Sequence, residues 1–103
     1  MDITKYKIRE LRKMLDSKTI SAAELTDEYL NRIEKYDSTI NSYITVTKEK
    51  AHESAEKAQK IIDAGNAPVL CGIPLSIKDN ICTEGVRTTC SSKILENFIP
   101  PYN

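Results

Sequence analysis

Val69-Leu70-Cys71-Gly72-Ile73-Pro74-Leu75-Ser76-Ile77-Lys78-Asp79-Asn80-Ile81 is apolar almost throughout, and its charges arrive only at Lys78 and Asp79. A short run of this kind, following the breaker Pro68, reads as a buried strand whose neighbours come from elsewhere in the fold. Working outward, Ser42 to Val46 alternates and is rich in aromatic and β-branched residues, which predicts a second short strand. Two short strands are marginal in water without a larger sheet or a covering layer. With the helices read upstream of these strands, the expected class is α/β.

Three helices are predicted upstream. From Thr4 to Asp16, Ile8, Leu11 and Leu15 recur at three and four residues and mark one apolar stripe. Lys5, Lys7, Arg9, Arg12 and Lys13 are assigned to the solvated side of that helix. The second helix has the sharpest start signal, Ser21 followed three residues on by Glu24, with Ile20 and Leu25 placed to staple the cap. Its stripe is Ala22, Leu25, Tyr29, Ile33 and Tyr36, up to the turn-formers Asp37, Ser38 and Asn41. Thr47 is the expected cap of a third helix running to about Ala64. Ala51, Ala55, Ala58 and Ile62 lie on one side, Gly65 is the left-handed stop, and Pro68 prevents resumption.

At 103 residues the chain is the size of one domain. Lys plus Arg balance Asp plus Glu at 15 each, so no global field selects nucleic acid or membrane. Lys5, Lys7 and Arg9 interrupt the N-terminal segment, and no later stretch reaches membrane-spanning length. Cys71, Cys82 and Cys90 are odd in number and lack metal or redox spacing. They are read as small hydrophobes of a reducing, cytoplasmic compartment. His52, amid Glu49, Glu53 and Glu56, is the one histidine of the chain, and it is read as a polar-face residue of the third helix, not a metal ligand.

Lys78 is the residue on which chemistry could rest. On an extended segment it shares a face with Ser76, opposite Ile77 and Asp79. Two readings stand. A buried lysine is drawn toward its neutral form, at a cost of about 4 kcal/mol of desolvation or neighbouring positive charge, and is then a usable general base for a serine nucleophile. A lysine at a strand end can equally reach water along its stem.

The stretch Gly72-Ile73-Pro74-Leu75-Ser76-Ile77-Lys78-Asp79-Asn80 resembles the strand that presents the catalytic lysine in the amidase signature family. The continuation from Ile81 to Phe98, together with Ile20–Thr26 and Ile44–Thr47, is similar to the branch of that family serving tRNA-dependent amidotransferases. Many stand-alone amidases carry Gly-Ser where this chain has Cys90-Ser91, and Cys71 and Ser76 stand where alanine is commoner.

The resemblance implies a mixed sheet covered by helices, of which residues 1–103 form the N-terminal part of a single amidase domain, incomplete here. It implies a triad of a serine nucleophile, a bridging serine in a cis peptide and Lys78 as base, with both serines beyond Asn103. Ser91 and Ser92 match no triad position and are read as turn residues. The implied enzyme hydrolyses glutamine and passes ammonia to a B subunit. There, misacylated Glu-tRNA(Gln) or Asp-tRNA(Asn) is amidated with ATP and Mg2+, and a C subunit bridges the two. No cofactor is expected on this chain. Without the serines it is expected to be inactive, and its unpaired apolar strand predicts that it is poorly stable or self-associating. Two rivals share these residues: a stand-alone amidase that also uses Lys78, and an inactive docking segment.

Overall fold

The structure, a computed structural model, describes all residues from Met1 to Asn103. They form two compact units, residues 1–42 with 48–74 and residues 43–47 with 75–103.

The first unit is helical. A single 3-10 turn, Ile3–Lys5, precedes α1 (Ile8–Asp16), α2 (Ala22–Ile40) and α3 (Lys48–Asp63). The predicted first helix is therefore split: Asp2 caps the short turn, and α1 starts afresh at Lys7, whose N–H donates to Glu10 Oε2 at 2.7 Å. At α2 the capping box forms as predicted. Glu24 N–H donates to Ser21 Oγ at 3.1 Å, and Ser21 N–H to Glu24 Oε2 at 2.9 Å. A third donor of that helix start, Ala22 N–H, is taken by Gln59 Oε1 of α3 at 2.9 Å, so a side chain from a neighbouring helix completes the cap. Asn41 ends α2 in the left-handed region at φ 57°, and Gly65 follows α3 at φ 87°.

The core gathers Ile3, Leu11, Leu15, Ile20, Ala22, Leu25, Ala55 and Ile62, with Met14, Tyr29, Ala67, Cys71 and Ile73 packed against it. Burying a leucine fully is worth about 1.5–3 kcal/mol, more than the few tenths by which helix propensities usually differ. Packing of these stripes therefore dominates over local preference. Five stripe positions fall outside it: Ile8 and Tyr36, toward the ends of their helices, are exposed, and Ile33, Ala51 and Ala58 are half-buried at its margin.

Arg12 corrects the reading of α1. It is only 8% exposed, where a solvated face was expected. Its Nη1 donates to the carbonyls of Pro68 (3.2 Å) and Cys71, and its Nη2 to Asp16 Oδ1 at 2.7 Å. The guanidinium thus fastens the turn Pro68–Cys71, closed by Cys71 N–H on Pro68 O at 3.0 Å, to the first helix. Immediately after this turn the chain needs a glycine. Gly72 has φ 83°, and a Cβ there would meet Ile62 Cδ1 at 3.0 Å, Leu15 Cδ1 at 3.3 Å and Ala22 Cβ at 3.5 Å.

Neither predicted strand forms. Ser42–Val46 and Val69–Ile81 carry no β-ladder, the latter turning at residues 69–72 and 79–80, and the sole pairing is an isolated antiparallel bridge between Thr83 and Val86. The reason is that a strand exists only through its neighbours' N–H and C=O groups, and these segments present none to each other in register. Side chains join them instead: Tyr43 Oη and Ser76 Oγ are 2.6 Å apart, and Arg87 Nη1 donates to Thr45 Oγ1 at 3.1 Å. Leu75, Ile77, Ile81 and Ile94 are all exposed.

The Lys78 loops as a candidate active site

The segment bearing Lys78 is extended up to Lys78 and then turns. Ile81 N–H donates to Lys78 O at 3.0 Å, closing a turn over residues 78–81. Lys78 itself is exposed. Leu75 and Ile77 beside it are exposed as well.

Asp79, the acid next to it, is spent on another partner. Its Oδ1 accepts Thr89 N–H at 2.9 Å, and its Oδ2 accepts the Thr89 hydroxyl and Ser91 N–H, the latter at 3.3 Å. Cys90 N–H donates to the Asp79 carbonyl at 3.1 Å. One residue therefore collects four donors from the single loop Thr89–Ser91. The bonds from Thr89, then that from Ser91, with Arg87 nearby, hold the Asp79 carboxyl below its ordinary value of 3.8.

The receiving loop is itself secured. Thr88 and Thr89 are buried. Thr88 N–H donates to Phe98 O at 3.0 Å, Gly85 N–H to Pro100 O at 3.0 Å, and Arg87 Nε to the Glu96 carbonyl. Ser91 and Ser92 behave as turn residues, with Ser92 N–H on Thr89 O at 2.9 Å and Ser91 N–H also on Thr89 Oγ1 at 3.2 Å. Neither the buried threonines nor the cradle around Asp79 is visible in the sequence. Asp-Asn after an apolar run looks like a plain turn, and the donors lie ten to twelve residues away.

Other polar candidates resolve as structure. His52 Nε2 lies 2.6 Å from Asp27 Oδ1, tying α3 to α2, and no group of three or more His, Cys, Asp or Glu side chains comes together anywhere in the chain. Of the cysteines, Cys71 packs on the core with its thiol 3.6 Å from Ala58 O, whereas Cys90 is exposed and so departs from the buried role expected of it. No helix is long and apolar enough to cross a membrane.

The geometry presents one lysine, fixed in a turn, with its adjacent carboxylate turned to a neighbouring loop. Known proteins share the sequence that builds it. The Amidase family profile matches residues 24–103, more than half of the chain. The chain belongs to the Amidase family.

Among curated relatives, it is 57% identical to the A subunit of the glutamyl-tRNA(Gln) amidotransferase of Ruminiclostridium cellulolyticum, over 99% of this chain and 21% of that protein. It is 50% identical to the protein of the same description from Dehalococcoides mccartyi, over 99% of this chain and 21% of that one. With that of Caldanaerobacter subterraneus subsp. tengcongensis it shares 48% over the whole chain and 21% of the relative. The chain thus spans about a fifth of the length of the relatives it matches. No solved structure matches it.

Proposed function

We propose that this chain supplies the lysine-bearing segment of the glutamine-hydrolysing component of an amidotransferase that works on misacylated tRNA. The observation that carries the reading is identity of 48–57% along essentially the entire chain with relatives described as the A subunit of glutamyl-tRNA(Gln) amidotransferase. Lys78, ending the apolar segment, is the residue assigned the chemistry.

In this reading a serine Oγ from the full-length protein attacks the side-chain amide carbon of glutamine. The C–N bond breaks, ammonia leaves, and water then cleaves the acyl-serine to glutamate. Neutral Lys78 takes the serine's proton through a bridging serine and returns it to the leaving nitrogen. The ammonia reaches a B subunit, which amidates Glu-tRNA(Gln) or Asp-tRNA(Asn), with a C subunit joining the assembly. ATP and Mg2+ serve that second reaction, and no proton transfer by Lys78 depends on them.

The apolar residues left exposed here, Leu75 (72%) and Ile77 (59%), support a further part of the reading. Residues 73–78 become a paired strand of a mixed sheet when the remainder of the full-length protein supplies the neighbours.

The test is amidation of Glu-tRNA(Gln) and, separately, Asp-tRNA(Asn) by the full-length protein with B and C subunits, with glutamine as nitrogen donor. Formation of Gln-tRNA(Gln) or Asn-tRNA(Asn) only with all subunits present is the expected result. Lysine-dependent hydrolysis of simple amides by the full-length protein alone, without tRNA amidation, would assign the chain to a stand-alone amidase.

A further inference from the structure

The donors collected by Asp79 are unusual in where they place a charge. A carboxylate one residue from an ammonium is its nearest available counter-ion, and a counter-ion holds an amine in its charged form. Here both oxygens of Asp79 are committed to Thr89 and Ser91 instead. The loop that provides those donors runs through two consecutive non-glycine residues in the left-handed region, Cys90 at φ 50° and Ser91 at φ 57°. Each such residue is strained and persists only where its surroundings over-determine it. The carboxylate, the buried Thr89 and the Cys90 N–H bond to the Asp79 carbonyl do so.

We propose that Asp79 is a positioning residue for Lys78: by clasping the loop Thr89–Ser91 it fixes the turn that carries the lysine and keeps its own carboxylate off the ammonium. This rests on the reading of Lys78 as the base. Asp79 touches no reacting atom in this scheme, and its effect falls on the rate of the chemical step and not on glutamine affinity. Thr89 is its principal partner, since it supplies both an N–H and a hydroxyl.

The experiment uses the full-length protein with its B and C subunits and follows glutamate release. Asp79→Asn keeps the shape but turns an amide NH2 toward donors, and Thr89→Val removes the hydroxyl alone. A misplacement near 1 Å costs about 10²-fold in rate. Each variant is therefore expected to lose about tenfold to a hundredfold in kcat with KM within about twofold. The double variant should be no slower than the slower single, because both break one contact. Thr89→Ser, which keeps the hydroxyl, should restore most of what Thr89→Val loses.

A kcat loss under about tenfold per folded complex, losses that multiply in the double variant, or a change confined to KM overturns the proposal. So does a lowered melting temperature with kcat intact. Should Asp79→Asn fail to fold, the comparison of Thr89→Val with Thr89→Ser decides alone. Lys78→Ala in the same assay separates the two levels. If it abolishes turnover while the Asp79 and Thr89 variants are normal, only this inference fails. If it leaves turnover intact, the assignment of Lys78 fails and the inference falls with it.

Discussion

Replacing Gly72 by alanine should be one of the costliest single-methyl changes in this chain, and Gly65→Ala provides the internal control. Both glycines lie in the left-handed region, at φ 83° and 87°, where a Cβ costs about 1–2 kcal/mol. The loss of backbone freedom in the unfolded chain is also common to both and cancels in the comparison. Only the surroundings differ, because nothing lies within 4 Å of a Cβ at position 65, whereas at position 72 it would meet Ile62, Leu15 and Ala22. The two nearest atoms are terminal methyls, which could swing aside in an open structure. Leu15 and Ile62 are buried, however, and have little free volume to move into.

Overpacking of this kind adds about 1–3 kcal/mol, for a total of about 2–5 kcal/mol at position 72 against about 1–2 at position 65. Urea titrations followed by helical circular dichroism measure the difference, with trimethylamine oxide added to every sample to secure the folded baseline. At a slope of about 2 kcal/mol per molar, an excess of about 2 kcal/mol lowers the midpoint of Gly72→Ala about 1 M below that of Gly65→Ala. Equal midpoints would refute the argument that the helical core closes around Gly72.

Three further perturbations test the polar framework. Arg12→Ala removes charged hydrogen bonds to the Pro68 and Cys71 carbonyls and should cost about 3 kcal/mol. Asp16→Asn, at a side chain 54% exposed, should cost no more than about 1 kcal/mol by the same titration; equal losses would mean the ion pair, not the clamp on the turn, holds this arginine. Acid should loosen the second unit through Asp79. Its carboxyl lies below 3.8 when folded, so its contribution is complete above that value and is lost as pH falls through the lower folded value. A carboxyl-carbon NMR titration of Asp79 with its midpoint at or above 3.8 would contradict this.

What is legible in the sequence is local. The Ser21–Glu24 box needs two residues three apart, Gly65 and Asn41 announce helix ends, and the Leu11–Leu15 and Ala55–Ile62 stripes repeat within a few turns. Arg12 escapes such a reading because its carbonyl partners lie 56 and 59 residues away, and nothing in the composition of α1 distinguishes a clamp from a solvated cation. The strands fail for a related reason. Apolar alternation records a preference for burial, while a ladder requires a second edge in register, which residues 42–46 and 73–78 do not offer each other. Lys78 is singled out by resemblance to the family alone, and its catalytic role is a proposal. The bonding of the neighbouring Asp79 to the loop at Thr89 is not legible, because a turn-forming Asp gives no sign of which donors it will accept.

Whether Lys78 is the proposed base that releases ammonia from glutamine is decided by comparing two nitrogen donors. The full-length protein with the proposed B and C subunits, wild type and Lys78→Ala, is assayed for amidation of Glu-tRNA(Gln) with glutamine and then with ammonium salt. Loss of glutamine-driven amidation by about 10³-fold or more, with ammonium-driven amidation intact, is the predicted result, since free ammonia bypasses the step that needs the lysine. Glutamine-driven amidation that survives Lys78→Ala would mean that another group takes the serine's proton.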